Sequence, residues 1–429
     1  MKRLILALQL ALLFMPLIGH ALSLEDGLQT VTKNGRDITI ARSDESAARE
    51  AVSLARAPWL PFVDLYGRET WIRYQPEAKF GGNVVPTSQD QFTTYGVRAT
   101  QMLSDFGKTS SAIDAAKFGL KAREFDTLRV RNRAALDFII VYLDLLEAEK
   151  LLLVAGDEVK QYEAHKKDAE ARYSAGVVTR NEVLQANVKL SDSRQRHLTA
   201  DNLRSLRASK LNSLLMRPLN EAVQPEEFTK TPSAGITLEE AWINAEAESP
   251  EIKEVEAGIQ AREAGLRSVK AEFLPNVYLS GGYEYQENQY LVHQRNWSLI
   301  AGVNINLFSG GASSARTSIG KRELDSLKAG RDKLADATRL GVKAAYLDLQ
   351  SSAQKIEVTK TAVEQADENL RLQQLRYQEG VGTSLEVLDA VNLLSAAQTN
   401  TWKARYGFER AEANLLHAMG RDLANVYVK

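Results

Sequence analysis

The side chains that most often carry chemistry are few and scattered in this sequence. The five histidines lie far apart in the chain: His20, His165, His197, His293 and His417. There is no HExxH motif, no G-x-S-x-G motif and no phosphate-binding loop, and Gly380-Val381-Gly382 lies between predicted helices rather than after a strand. Isolated histidines are usually ordinary surface residues. We therefore predict no catalytic residues, no metal site and no cofactor, and the chain is not expected to be an enzyme.

Two acidic residues, Glu386 and Asp389, form the most suggestive charged pair. They are three positions apart in a predicted helix, so their carboxylates share one face. Such a pair is often only a solvated surface, but several copies of it around one opening would attract cations.

The start of the chain has the pattern of a secretion signal. Lys2 and Arg3 precede an apolar run that ends at Ile18, and Gly19-His20-Ala21 is a small-x-small cleavage site. We expect residues 1–21 to be removed. A retained membrane anchor is the alternative, which Pro16 and the shortness of the run disfavour.

Charge and cysteine content exclude several classes of protein. The chain carries 54 Lys and Arg against 55 Asp and Glu, so loss of Lys2 and Arg3 leaves a net charge of about −3. This balance does not favour a nucleic-acid partner. Because there is no cysteine, an exported form would contain neither a disulfide nor a lipid-modified cysteine.

The sequence contains two copies of one design. Residues 172–184 align with residues 376–388 at an offset of 204, and Pro61 corresponds to Pro275 at an offset of 214. We therefore expect two structural repeats, residues 22–236 and residues 237–429.

Each repeat is predicted to contain long helices. Proline is absent between Pro86 and Pro218 and again after Pro275, which leaves room for helices over 106–217 and 312–420. Small and apolar residues alternate four and three apart from Ala134 to Val159 and again from Thr338 to Leu370, the spacing of a coiled-coil seam. Glycines 176 and 380 supply the turns at which the helices reverse.

Alternating segments predict two β-hairpins, over residues 61–103 and 275–308. In residues 296–307, for example, Trp297, Leu299 and Val303 alternate with mostly polar neighbours. A soluble hairpin packed on the helices is one interpretation, and a membrane-spanning sheet is the other. Four strands cannot close a barrel and an open edge is not tolerated in lipid, so the membrane interpretation predicts a homo-oligomer.

The order of these elements resembles the TolC-like outer membrane efflux protein family, over essentially the whole chain after the signal. The resemblance rests on a repeated Arg-Tyr-x-x-Gly-Val turn and on four further motifs. These are Leu24-Glu25-Asp26, Leu238-Glu239-Glu240, Ser249-Pro250-Glu251-Ile252 and Val387-Leu388-Asp389-Ala390. The first half departs from the pattern at Asn34-Gly35-Arg36-Asp37, where the proline is missing.

The resemblance implies an internally duplicated α+β membrane protein. It combines a long antiparallel α-helical coiled-coil barrel with a transmembrane β-barrel, to which each protomer of a homotrimer contributes four of twelve strands. The segment near 224–237 and the C-terminal tail would lie at an equatorial girdle of the helices.

The implied function is that of a passive exit duct in the outer membrane of a Gram-negative bacterium, with a periplasmic extension. The duct would serve a tripartite efflux or type I secretion system and would be surrounded by outer-membrane lipid. Its partners would be a periplasmic adaptor and an inner-membrane transporter of the ABC or RND class. A periplasmic coiled-coil scaffold or adaptor without a barrel is the alternative. The cargo, whether drug, metal or protein, is left open.

The resemblance also implies roles for residues at the helix turns. Glu386 and Asp389 match acidic rings that face the pore, and Tyr377 and Glu182 match polar links that hold the helix ends closed. Gly382 stands where the family's best-known member has an arginine, and Arg180 or Arg376 are candidates to replace it. The residues expected to contact the adaptor are Gly176, Val177, Thr179, Gly380, Val381 and Thr383.

Overall fold

The computed structural model describes residues 22–227 and 235–428. The expected signal segment 1–21 lies outside these residues, as does part of the expected girdle segment 224–237. Among the described residues, no helix is both long enough and apolar enough to cross a membrane.

Long helices and one main sheet confirm the predicted α+β class. The first half contains α1 (Leu24–Asn34), α2 (Arg36–Arg56), β1 (Phe62–Trp71), β2 (Glu77–Phe80), β3 (Asn83–Pro86), β4 (Gln91–Ser104), α3 (Lys108–Ser174) and α4 (Arg180–Leu214). The second half contains α5 (Leu238–Glu248), α6 (Pro250–Lys270), β5 (Asn276–Glu287), β6 (Arg295–Asn304), α7 (Ala312–Lys360), α8 (Ala362–Gln378), α9 (Ser384–Ala418) and α10 (Leu423–Tyr427).

The chain divides into two compact units. The helical unit comprises the described residues of 1–40, 128–250 and 335–429, and the sheet unit comprises residues 41–127 and 251–334. Each unit takes segments from both halves of the sequence.

Three local features differ from the sequence-based expectation. Each half begins with two helices rather than one, because Pro250 cannot continue a helix and Gly35 adopts an extended ψ of 145°. The second long helical region is interrupted at Thr361, between α7 and α8. Strands β2 and β3 form an additional small hairpin within the loop between β1 and β4.

In the sheet unit, the four long strands pair antiparallel in the order β1-β4-β5-β6. The β4–β5 pairing joins the two halves of the sequence. Residues directly opposite in an antiparallel pair point to the same side, so the register assigns each side chain to a face. One face is predominantly apolar and includes Val63, Leu65, Val97, Tyr283, Trp297, Leu299 and Val303.

The opposite face of the sheet is polar. The Tyr66 hydroxyl donates a hydrogen bond to Glu284 at 2.7 Å, and Arg98 stacks over the Tyr66 ring. The hydroxyls of Thr100 and Ser280 are 3.3 Å apart. The large side chains on the apolar face are exposed to solvent in the single chain, with Leu65 82% and Trp297 75% exposed. The sheet therefore has one face suited to water and one that the single chain leaves uncovered.

In the helical unit, the main core forms around the middle of α3. Phe138 and Leu145, both in the predicted seam, are completely buried. Helix α1 packs closely against this core, since a Cβ atom at Gly27 would lie 2.1 Å from the Phe138 ring. The seam spacing thus identified the buried face of α3 correctly.

Tyr142 secures two chain segments to this core. Its buried hydroxyl lies 2.8 Å from the carbonyl oxygen of Leu22 and 2.6 Å from that of Glu226. The C-terminal segment is held in a similar way, because the Asn132 side chain accepts from Leu423 N–H and donates to the Arg421 carbonyl. Side chains of α3 therefore anchor three short segments, which contain Leu22, Glu226 and Leu423.

We expect Tyr142→Phe to lower the free energy of unfolding by about 0.5–1.5 kcal/mol, because the hydrogen bonding of the Tyr142 hydroxyl to the Leu22 and Glu226 carbonyls is lost. Thermal unfolding of the detergent-solubilised protein, followed by circular dichroism, would measure the change. Tyr173→Phe is the matched control, since Tyr173 lies on the same helix and is 47% exposed. Equal melting temperatures for the two variants would contradict the anchoring role.

Candidate functional site at the helix turns

The two helix reversals have the same backbone geometry. At the turn between α3 and α4, Gly176 has a φ of 71° and the Val177 N–H donates to the Arg172 carbonyl at 2.9 Å. Gly380, with a φ of 75°, repeats this arrangement between α8 and α9. Positive φ favours glycine, and these bonds satisfy carbonyls at the helix ends. Both turns are therefore defined by the backbone, and their differences lie in the side chains.

The helices after the two turns begin differently. Thr383 and Glu386 form a capping box, in which the Thr383 hydroxyl accepts from the Glu386 N–H at 3.3 Å and Glu386 accepts from the Thr383 N–H at 2.8 Å. Thr179, the equivalent residue of the first turn, makes no side-chain capping bond. Glu182, which corresponds to Glu386, is consequently not engaged as a capping residue.

Tyr377 connects α8 to α4. Its side chain is only 4% exposed, and its hydroxyl donates to the Glu182 carboxylate at 3.1 Å. Burial and then the charge of Glu182 raise the pKa of Tyr377 to about 12. The hydroxyl therefore stays protonated at neutral pH and remains a donor. The structure thus brings together the two residues that the sequence predicted as a polar link.

Arg172 is the arginine that contacts this link, and the sequence analysis did not single it out. Its guanidinium lies 4.9 Å from the centre of the Tyr377 ring and donates to the Gln378 carbonyl at 3.1 Å. It also pairs with Asp168 at 3.2 Å. The available signal was the repeat alignment, because Arg172 corresponds to Arg376.

The two arginines suggested from the sequence lie elsewhere. Arg376 approaches Glu386 at 3.8 Å and bonds to Gln373 at 3.2 Å. Arg180 is exposed and forms no ion pair with any other described residue. Among the described residues, the arginine whose guanidinium lies over the Tyr377 ring is Arg172, and not Arg180 or Arg376 as the prediction suggested.

Gly382 fits a site with little room for a side chain. A Cβ atom at this position would lie 3.0 Å from both the backbone nitrogen of Tyr377 and the Cβ atom of Arg376. A larger residue would require the end of α8 to move. The absence of an arginine here is therefore consistent with the close approach of the turn to α8.

His165 is a second residue of the site that sequence analysis placed among ordinary surface histidines. It is 6% exposed, and its Nε2 atom lies 2.7 Å from the Ser384 hydroxyl. Its ring centroid is 5.1 Å from that of Tyr377. Its position on the apolar side of α3, one turn before Asp168, was the only sequence signal for this burial.

The acidic pair is not made of two equivalent carboxylates. Glu386 is partly buried, and the Thr383 backbone N–H, followed by Arg376, holds the pKa of Glu386 below its ordinary value. Asp389 is exposed on the same helix, three residues later. Glu386 therefore remains ionised at neutral pH, while Asp389 is the freer of the two charges.

The predicted contact residues at the turns are accessible in this structure. Val177 and Val381 are both largely exposed at the two tips. The glycines Gly176 and Gly380 and the threonines Thr179 and Thr383 are also exposed. The turns therefore present small and apolar groups outward, and the polar links lie behind them.

This combination defines a class of protein in which paired long helices end in polar, linked turns and a sheet unit exposes an apolar face. The sequence model of the outer membrane efflux protein family matches residues 27–215 and 243–421. The chain belongs to the outer membrane efflux protein family.

Individual relatives and a solved structure agree with this assignment. The pyoverdine export outer membrane protein OpmQ of Pseudomonas aeruginosa is 23% identical over 411 residues, which cover 92% of this chain and 85% of OpmQ. The alkaline protease secretion protein AprF of the same species is 24% identical over 414 residues, 92% of this chain and 84% of AprF. The structure of the outer membrane protein VceC from Vibrio cholerae has the same fold, with a TM-score of 0.80 at 18% identity over 93% of this chain and 96% of that chain.

These findings confirm the predicted family, function and location. The chain is an outer-membrane export channel of a Gram-negative bacterium, with helices that extend into the periplasm. Its family consists of transport channels rather than enzymes.

We expect Thr383→Ala to lower the local stability at the start of α9 by about 1 kcal/mol, because it removes half of the capping box. Hydrogen exchange of the amides in the first turn should then be about fivefold faster, which is the change in the opening equilibrium for that energy. Thr179→Ala is the matched control, because Thr179 does not cap α4 with its side chain. Equal acceleration in both variants would mean that the capping box does not stabilise α9.

Proposed function

We propose that the chain forms a homotrimeric exit duct that is closed at its periplasmic helix turns and opened by a periplasmic adaptor. The observation that carries the proposal is the hydrogen bond between Tyr377 and Glu182. It links the α3–α4 pair to the α8–α9 pair at their shared end. We further propose that residues 1–21 are removed on export and that residues 22–236 and 237–429 act as the two repeats of each protomer.

The sheet supports the oligomeric part of the proposal. Strands β1 and β6 each have one neighbour in the described chain, so each leaves a row of backbone groups without a strand partner. Lipid cannot hydrogen-bond these groups, and the apolar face of the sheet needs an apolar surrounding. Three copies joined edge to edge would supply twelve strands, satisfy the backbone and place the exposed Leu65 and Trp297 in lipid.

The duct itself supplies no energy in this proposal. An inner-membrane transporter of the ABC or RND class would drive transport, and the adaptor would contact Val177, Val381 and the neighbouring turn residues. OpmQ is named for pyoverdine export and AprF for alkaline protease secretion. We therefore assign a conduit for small molecules or proteins and leave the choice of cargo to the transporter.

The first test is single-channel recording of the purified mature protein in planar bilayers. We expect small currents at neutral pH, because the turns are closed in the absence of an adaptor. Heat-modifiable migration of the outer-membrane fraction in detergent would accompany them. Folded protein with neither property would favour a periplasmic coiled-coil scaffold or adaptor instead.

Loss of the Tyr377–Glu182 bond should open the duct. Hydrogen bonds to charged groups contribute about 1.5–3 kcal/mol, so Tyr377→Phe and Glu182→Ala, each of which removes one partner, should shift the closed–open equilibrium about 10- to 150-fold towards the open form. The measurement is single-channel conductance at neutral pH. Tyr173→Phe is the control, since Tyr173 is the repeat equivalent of Tyr377 but is exposed. Unchanged conductance in both link variants would refute the latch.

Glu386 and Asp389 should set ion selectivity at the opening. Three copies would concentrate six carboxylates, so divalent cations added on the periplasmic side should block the current. The double variant Glu386→Gln, Asp389→Asn should require about tenfold more divalent cation for the same block. Glutamine is preferred to alanine at 386 because it retains an acceptor for the Thr383 N–H.

A second acidic pair of the same spacing provides the control for this measurement. Glu364 and Asp367 are exposed on α8, more than two helical turns away from the α8–α9 reversal. Glu364→Gln together with Asp367→Asn should leave the divalent block unchanged. If both double variants relieve the block equally, the effect comes from the overall charge and not from the turn.

A further inference from the structure

His165 is the one strongly buried histidine among the described residues, and it lies where three helices meet. It projects from α3 to the Ser384 hydroxyl, which belongs to the first residue of α9, and the Nε2–Oγ distance is 2.7 Å. Ser384 is itself only 1% exposed. On α8, the Tyr377 ring packs against the imidazole with 5.1 Å between centroids. The imidazole therefore contacts both helices of the second pair.

Within the described part of the chain, Asp168 is the one negatively charged residue whose charge acts on the imidazole. Asp168 lies one turn later on the same helix and acts on the imidazole by its charge alone. Arg172, also on α3, stacks on the Tyr377 ring and already pairs with Asp168. Glu182 of α4 is bonded to the neutral Tyr377 hydroxyl. The only hydrogen-bond partner of the imidazole in the described part of the chain is the Ser384 hydroxyl.

A protonated imidazole would be poorly accommodated here. Burial disfavours the charged form of a histidine, and burial lowers the pKa of His165, with Asp168 opposing this effect in part. A second proton would also place a cation beside the aromatic cluster that already holds the Arg172 guanidinium. The packed arrangement of the three helices therefore favours neutral His165.

We propose that His165 is a proton-sensitive catch of the gate: neutral His165 holds α3 against the start of α9, and its protonation releases the helix ends. This inference rests on the proposed function, because it assumes that the helix turns close the duct. It adds to that function a specific residue, His165, and a ligand, a proton from the periplasm. It also predicts the direction in which pH changes the opening of the duct.

The direction of the pH effect follows from the two states. In an opened turn, the imidazole would meet water and regain its ordinary pKa of 6.5, whereas in the closed turn its pKa is lower. The open form therefore binds more protons than the closed form as the pH falls below 6.5. The catch is fully effective above pH 6.5 and is lost progressively at lower pH, so acidification opens the duct.

The carboxylates of the opening do not produce the same effect in this pH range. Carboxyl groups ordinarily titrate near pH 4, and the Thr383 N–H lowers the pKa of Glu386 further. Between about pH 7.5 and pH 5.5, the change of charge near the turns is therefore expected to come from histidine.

The test is single-channel recording of the full mature protein, with the periplasmic side taken from about pH 7.5 to pH 5.5. We expect the open probability of the wild type to rise several-fold. His165→Gln, which can still bond to Ser384 but cannot be protonated, should remain closed across the range. His197→Gln is the matched control, because His197 lies on α4 of the same unit and outside the cluster, and it should respond as the wild type does.

The Ser384→Ala variant and the two link variants separate the remaining outcomes. Ser384→Ala removes the partner of His165 and should raise the open probability at pH 7.5, which also tests the catch if His165→Gln does not fold. A wild type without pH response, or a His165→Gln variant with the full response, overturns the catch. If Tyr377→Phe still opens the duct in that case, the proposed gate stands and only the catch is wrong. If Tyr377→Phe and Glu182→Ala also have no effect, the gate itself is wrong.

Discussion

The burial of Tyr377 is the constraint on which the candidate site depends. A phenol with 4% exposure needs a partner for its hydroxyl, and the structure supplies Glu182 from the other helix pair. The same ring also contacts the Arg172 guanidinium and the His165 imidazole. Tyr377, at the end of α8, thus contacts residues of both α3 and α4. Exposure of its ring to solvent would break these contacts.

Equivalent residues of the two sequence repeats make different contacts at the helix turns. Glu182 and Glu386 are equivalent in the two repeats, as are Thr179 and Thr383, yet only the second pair forms a capping box. One carboxylate oxygen of Glu386 accepts from the Thr383 N–H, and the other lies 3.8 Å from the Arg376 guanidinium. Glu182 has no such role and can accept from Tyr377. The equivalent glutamates therefore have different roles: Glu386 stabilises the start of its helix, and Glu182 links two helix pairs.

The fold was accessible from the sequence because its main signals are periodic. The seam of α3, the alternation in β5 and β6 and the repeated glycine turns each reflect burial that recurs at a fixed interval. The contact between Tyr377 and Glu182 was accessible only through the family resemblance. The stacking of Arg172 and the burial of His165 depend on how separate helices approach each other, and periodicity within one helix carries no information about that. The interruption at Thr361 was missed since no proline marks it, and the β2–β3 hairpin was missed since each of its strands has only four residues.

Gly382 illustrates why residue roles do not transfer one by one between relatives. The resemblance placed an arginine at this position, but a Cβ atom there would crowd the Tyr377 backbone at 3.0 Å. A side chain at this position would therefore require the end of α8 to shift. A positive charge beside the tyrosine must then come from another helix, and Arg172, one turn before the opposite reversal, is within reach. The charge beside this ring is thus set by how α3 approaches α8, and not by the residue at position 382 of the turn itself.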